Sequence, residues 1–244
     1  DKSFTLQLTS PTGATIDDAT GSGTISANHL LAGCPVSPTA NQRFVCHLYF
    51  DALGRAAESG GFTFWVNLLN TGTKRSTMAK SYLGQPESLN RVADRTYVLY
   101  LARHGTTLEQ TGWAAKYKAK TAKPEDTRVA VLSSAEYFTK VGATNTAFVQ
   151  HIFQDVFRRP VDDSGLTYWT GQLTSGKTRA QVAKSFLDTA EGRTKVIGDV
   201  YLRFLRRIPG TSEAQFWVDQ FKAGKSEIDI GISIVGSTEY FNRP

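Results

Sequence analysis

Residues 148–191 read FVQHIFQDVFRRPVDDSGLTYWTGQLTSGKTRAQVAKSFLDTAE, and their pattern decides the fold. Within this stretch Arg159 is followed by Trp169 ten positions on, and by Glu191 after a further 22. The same marks recur as Arg55, Trp65 and Glu87, as Arg103, Trp113 and Glu136, and as Arg207, Trp217 and Glu239. Arginine to tryptophan is ten residues in every set, and tryptophan to glutamate is 22 or 23. The four sets use all four tryptophans of the 244-residue chain. A fixed period of this length is the signature of a tandem array in which each copy is one supersecondary unit.

The first copy shows what a unit contains. Phe44, Val45, Leu48, Tyr49 and Leu53 keep the i, i+3, i+4 spacing of one apolar helical stripe, so a helix is predicted from Phe44. Arg55 falls at its end, where exposed carbonyls favour a cation. Ser59-Gly60-Gly61 predicts a break, followed by a second helix from Phe62 through Phe64, Trp65, Leu68 and Leu69. Asn70-Thr71-Gly72 stops it by C-cap chemistry. Ser76 to Leu83 predicts a third, short helix that ends before Gln85-Pro86. Glu87 then opens the next unit, where an acid suits the N-terminal dipole. Each unit therefore reads as three helices separated by glycine turns, in about 48 residues.

The arginines at 55, 103, 159 and 207 step by 48, 56 and 48, so the units pair. Across the pairs, Phe44-Val45-x-His47 recurs 104 residues later as Phe148-Val149-x-His151. Arg75-x-x-x-Ala79-Lys80-Ser81-x-Leu83 recurs as Arg179-x-x-x-Ala183-Lys184-Ser185-x-Leu187. Ser134-x-Glu136-Tyr137-Phe138 recurs as Ser237-x-Glu239-Tyr240-Phe241. A duplicated two-unit block is the simplest account. The expected fold is mainly α, a tandem array of four three-helix units in two pairs, over 44–140 and 141–244. A short β segment over 1–27 and a linker over 28–43 precede them.

That β segment rests on residues 3–9, SFTLQLT, where Phe4, Leu6 and Leu8 alternate to one side, and on a short strand at Thr24-Ile25-Ser26. Two short strands do not stand alone in water, so this end packs on the helical body, on another chain, or completes a larger sheet. The wording FTLQLTSPTGATIDDATGSGTISAN resembles the last two strands of a Calx-beta domain, an extracellular calcium-associated β-sandwich. Asp17 and Asp18 carry carboxylates suited to calcium, yet two acids in a turn also read as solvated turn residues, and no metal site is assigned. Cys34 and Cys46 lie twelve apart without metal-ligand spacing. A disulfide closing this short loop suits an exported protein; two unrelated buried thiols are the other reading.

A second resemblance is carried by Phe148-Val149, Phe157-Arg158-Arg159-Pro160-Val161-Asp162, Gly165-Leu166-x-Tyr168-Trp169, Leu173-x-x-Gly176 and Ala183-x-x-Phe186-x-x-x-x-Glu191. Together they resemble the bacterial domain of unknown function 4214, an all-α module similar to phycobilisome linker domains. The first unit matches nearly as well. The second and fourth depart from it, with Gly112 where an aromatic precedes the tryptophan, and Glu109 and Glu213 in place of the turn glycine. The resemblance implies a module of large exported bacterial proteins, with no enzymatic activity.

The recurring residues themselves have a physical reading. Ten residues across a glycine turn let an arginine at one helix end meet the indole of the next, worth about 0.5–2 kcal/mol, with its donors reaching carbonyls or the following glutamate. Arg55, Trp65 and Glu87, and their three sets of counterparts, are thus expected to form structural clasps. The alternative is an aromatic and basic surface for sugars or nucleic acid. Net charge is +6 and the isoelectric point about 9.3, which favours acidic partners if the basic surface is more than solvated. Its densest run is Lys116, Lys118, Lys120, Lys123 and Arg128 around Tyr117, a candidate patch for an anionic glycan rather than a specific nucleic-acid reader.

His29, His47, His104 and His151 show no metal-ligand spacing, and no nucleophile elbow or phosphate loop is present. No catalytic residues, cofactor or metal are expected. No apolar run approaches the ~18 residues of a membrane span, and residues 1–9 do not read as a secretory signal, so the chain reads as a mature piece of something longer. The expected role is a structural or interaction module, extracellular, on the cell surface or periplasmic. It would associate with protein partners in a larger assembly or with the rest of its own chain. A linker-like accessory subunit and an anionic-glycan binder are the alternatives.

Overall fold

The computed structural model describes residues 34–243 in full and, before them, only the backbone of two paired strands. These are β1 (Lys2–Gln7) and β2 (Thr20–Ile25), antiparallel, with Lys2 opposite Ile25. The side chains of Phe4, Leu6 and Leu8, and the acids Asp17 and Asp18, lie outside the described residues.

From Cys34 onward the regular structure is helical. In chain order it comprises α1 (Ala40–Leu53), α2 (Ser59–Asn70), α3 (Arg75–Leu83), α4 (Pro86–Leu101), α5 (Thr107–Ala119), α6 (Pro124–Ser133) and α7 (Ala135–Lys140). Then come α8 (Asn145–Ile152), prolonged by a π-helical turn over Phe153–Phe157, α9 (Asp163–Thr174) and α10 (Arg179–Leu187). The last four are α11 (Ala190–Leu205), α12 (Thr211–Lys222), α13 (Glu227–Val235) and α14 (Thr238–Phe241).

Two boundaries differ from the sequence expectation. Helix α1 begins at Ala40, so the end of the expected linker is helical. The cause is a capping box: Gln42 N donates to Thr39 Oγ1 at 3.3 Å, and Thr39 N donates to Gln42 Oε1 at 2.8 Å. Likewise Ser59-Gly60-Gly61 is not a break but the first turn of α2. The turn falls earlier, at Gly54, which is left-handed at φ 69°. A side chain at Gly61 would collide with Tyr49 and Glu58, so the glycine there keeps space for a contact rather than bending the chain.

That left-handed cap recurs without its glycine. Ala102 (φ 56°), Arg158 (φ 59°) and Arg206 (φ 58°) occupy the position of Gly54, each immediately before the arginine of its set. Three of the four caps therefore hold an L-residue where glycine costs least. The reversed backbone is what swings each following arginine back across its own helix end.

By packing, the chain falls into two compact bodies, 1–71 and 72–244. In the first, α1 packs on α2. Phe44, Val45, Leu48 and Ala52 are fully buried there, and a disulfide joins Cys34 to Cys46 with Cα atoms 6.2 Å apart. In the second, α4 packs on α5 and α6, while α11 packs on α12 and α13. The short helices α6 and α10 lie together, and so do α3 and α13. This grouping differs from the 140/141 division read from the repeats. Each short helix buries its apolar face against a distant counterpart, so the core crosses the repeat boundary.

The two short-helix contacts share a detail: Arg179 lies 4.2 Å over the Phe138 ring, and Arg75 lies 4.2 Å over Phe241. Between them the core is aromatic. Phe186 is 1 % exposed and meets the rings of Phe153, Phe157 and Trp169 at 4.9, 5.1 and 4.7 Å. Packed aromatic pairs of this kind add about 0.5–1.5 kcal/mol each beyond area burial.

The caps give a direct test. Replacing Ala102 with glycine is expected to raise unfolding stability by about 0.5–1 kcal/mol in urea denaturation, because a left-handed alanine carries a steric cost that glycine lacks.

Candidate functional site

The fullest clasp is built on Arg103. Ala102 turns the chain at the end of α4, and the guanidinium then meets two carboxylates. Its Nε and Nη2 donate to Glu136 Oε1 and Oε2, both at 2.6 Å, and Glu136 stands in the first turn of α7. Its Nη1 and Nη2 donate to Glu109 at 3.0 and 3.1 Å. Nη1 also reaches the His104 carbonyl at 2.9 Å. Three helix ends are tied by one side chain.

Arg207 repeats the arrangement. It donates to Glu239 at 2.6 and 2.8 Å and to Glu213 at 2.8 and 2.7 Å. The hydrogen bonds from arginine hold Glu109 and Glu213 down to about 2, well below the usual carboxylate range. Carboxylates so held are fixed as anions and cannot serve as general acids near neutral pH.

Arg159 keeps half of this. Its Nε and Nη2 donate to Glu191 at 2.8 and 3.1 Å, but Gly165 replaces the second glutamate. Asp162 instead caps α9, accepting from Gly165 N at 2.7 Å. In the first body, Arg55 donates to Glu58 at 2.6 Å and to the Ala56 carbonyl at 3.1 Å. Glu87 stands in the first turn of α4.

The tryptophans take a different part from the one expected. Among the described residues of the second body, no guanidinium of a set lies on its own indole. Arg55, Arg103 and Arg207 lie 5.3, 5.2 and 5.2 Å over Tyr49, Tyr97 and Tyr201, each six residues earlier. Arg159 lies 5.4 Å from both Phe153 and Phe157. The left-handed cap explains the shift, since it folds the arginine back over the helix it leaves. The indole reaches the same tyrosine from the other side: Trp113 Nε1 donates to Tyr97 Oη at 3.2 Å, and Trp217 Nε1 to Tyr201 Oη at 2.8 Å. Tyr49 likewise bonds to Trp65, and burial with the Glu58 hydrogen bond pushes its hydroxyl up to about 12. Phe153 has no hydroxyl, and Trp169 packs on Phe186 instead. The tyrosine six before each arginine is a signal the sequence carries, broken only in the third copy.

All four indoles are half-buried. The residue before three of them is an exposed aromatic set edge-on to the indole. Phe64, Tyr168 and Phe216 are 56, 56 and 55 % exposed, with centroids 5.0, 5.1 and 4.9 Å from the tryptophan.

Of the basic run, Lys116, Lys118, Lys120 and Lys123 are exposed; Lys116 lies 4.4 Å over Trp113, and Lys123 Nζ donates to the Gly224 carbonyl at 2.7 Å. Arg128 is buried. It donates to Glu227 Oε2 at 2.9 Å and to Tyr100 Oη at 3.1 Å, and Asp199 lies 3.7 Å away. Asp199 also binds Arg158. Partners 28 to 99 residues away hold Arg128 inside, which a local reading of charge does not reveal.

Beside this network lies Glu125. Its Oε1 accepts from Glu227 N at 2.8 Å, while Oε2 is buried with no partner among the described residues. Burial, and then the Glu227 carboxylate, push Glu125 up to about 7.

His104 Nδ1 lies 2.9 Å from Asp94 Oδ2, but among the described residues no hydroxyl or thiol side chain bonds to His104. His47 is buried in α1, whereas its counterpart His151 is exposed on α8. No group of three or more His, Cys, Asp or Glu side chains among the described residues is placed to hold a metal ion. No helix among them is long and apolar enough to cross a membrane.

The geometry thus defines a class: a helical protein in which one helix-end clasp recurs along the chain. The profile of the domain of unknown function (DUF4214) matches residues 36–92 and 128–196, just over half of the chain, and the chain belongs to that family. No curated protein and no solved structure matches it.

Glu125 makes stability depend on pH. A carboxyl raised from 4.5 to about 7 binds its proton more tightly folded than unfolded. Its contribution is complete below pH 4.5 and is lost as pH rises through 7, by up to about 3 kcal/mol. Urea denaturation between pH 5 and 9 is expected to show this decline in the wild type and a flatter profile in Glu125→Gln.

Proposed function

We propose that the chain is a non-enzymatic structural or interaction module, a tandem array of four three-helix units in two pairs. Its role is to mediate protein–protein or cell-surface association within an exported bacterial protein. The observation that carries this reading is the use made of the recurring residues. Each arginine of the four sets is engaged with a carboxylate, a carbonyl and an aromatic ring at a helix end, which is what a scaffold requires and what a reaction centre does not. The Cys34–Cys46 disulfide supports an oxidising setting. The Calx-beta-like wording before α1 and the likeness to phycobilisome linkers point the same way.

A module of this kind needs a surface that its fold can spare. The exposed rings of Phe64, Tyr168 and Phe216 recur at one place in three units, and repeated exposed aromatics suit association. In co-sedimentation with isolated bacterial envelope, the wild-type chain is expected to pellet. A triple Phe64→Ser, Tyr168→Ser, Phe216→Ser variant should stay in the supernatant with little change in melting temperature. A wild-type chain that remains soluble, or a variant that pellets equally, contradicts the reading.

A further inference from the structure

The duplication provides an internal comparison for the packing of the second body. Residues separated by 104 up to Lys225, and by 103 after it, correspond. The cap acids show the register: Lys123 N donates to Asp126 and Ser226 N to Asp229, both at 2.8 Å. At one place Leu89, Val92, Ala93, Ala114 and Tyr117 form a buried apolar cluster, with Ile228 against it. At the corresponding place stand Arg193 for Leu89, Val196 for Val92, Phe221 for Tyr117 and Glu125 for Ile228. These residues line a cavity of about 270 Å³. Where one copy is packed with side chains, the other holds room for about nine water molecules at ~30 Å³ each.

The cavity has a sided chemistry. Its apolar wall is Phe221 with Leu187, Val196 and Val129. Its cations are Lys123, Lys184, Arg193 and Lys225. Asp188 accepts from Lys184 at 2.8 Å and Arg193 at 3.4 Å, and Asp126 is the other exposed acid. The Lys225 ammonium has no partner among the described residues. Four cations against two exposed acids leave an excess of positive charge, which persists even where Glu125 is ionised.

We propose that this cavity binds a small acidic sugar, a six-membered ring bearing one carboxylate, of the hexuronic acid class. The ring's C–H face matches the Phe221 wall, its hydroxyls find acceptors in Asp126 and Asp188, and its carboxylate answers the excess cations. A bare anion would leave the apolar wall wet, and a neutral sugar would leave the charge uncompensated. The site is independent of what the module assembles with.

The test is a nuclear magnetic resonance titration of the full chain at constant ionic strength, with D-glucuronate, D-glucose and acetate as separate probes. Glucuronate is expected to saturate with a Kd on the order of 1 mM, shifting signals of Val129, Leu187, Val196 and Phe221. Glucose and acetate should each bind at least about tenfold more weakly, since each lacks one of the two recognised features. Arg193→Leu, which installs the residue of the packed copy, is expected to weaken glucuronate about tenfold without lowering the melting temperature. If that variant misfolds, Lys225→Thr, which installs the counterpart Thr121, carries the same test at the rim. Absence of saturable shifts, acetate binding equal to glucuronate, or full binding by the folded variants overturns the proposal.

Discussion

A guanidinium at a helix end must find partners for five N–H donors while the last carbonyls of that helix also need donors. In this protein one solution is used repeatedly. A left-handed residue ends the helix, the next residue is arginine, and its planar fork takes a carboxylate from a helix about 32 residues further on. Lysine has the charge but not the fork, so it could not bridge two carboxylates and a carbonyl at once. The constraint also explains the aromatic beneath each arginine, because the folded-back side chain needs a flat surface to lie on.

The clasps are not equal, and the differences follow from single residues. Glu109 and Glu213 give Arg103 and Arg207 a second carboxylate. Gly165 removes it from Arg159, and in the first body Gly61 leaves room for Tyr49 to meet Glu58. The buried polar network has diverged further. Arg128 and Tyr100 correspond to Gly231 and Phe204, and a side chain at Gly231 would come within 3.1 Å of the Phe204 ring. One copy thus buries an ion pair where the other buries a ring against backbone. Buried ion pairs are seldom strong stabilisers, so Arg128 is better understood as fixing which helices meet than as adding stability.

Much of this was legible in the sequence. Apolar stripes such as Phe44, Val45, Leu48, Tyr49 and Leu53 carried the helical content, and Cys34 with Cys46 carried the disulfide. The Thr39 to Gln42 capping box is also present in the sequence, but it falls inside the stretch whose prolines and glycine read as a linker. The tyrosine under each arginine was obscured because Phe153 breaks the pattern in one copy. Arg128 and Glu125 were not legible. Their environment is made by Asp199 and Glu227, which only the packing of distant helices brings near.

The central claim is that the clasp holds helix ends together, and a double-mutant cycle on Arg103 and Glu136 measures this most directly. Urea denaturation of Arg103→Ala, Glu136→Ala and the double variant at low salt is expected to give a coupling of about 1 kcal/mol, at the upper end for an exposed pair because the contact is bidentate and shared with Glu109. The coupling should shrink as salt is added. Additive single effects, with no coupling beyond error, would contradict the account.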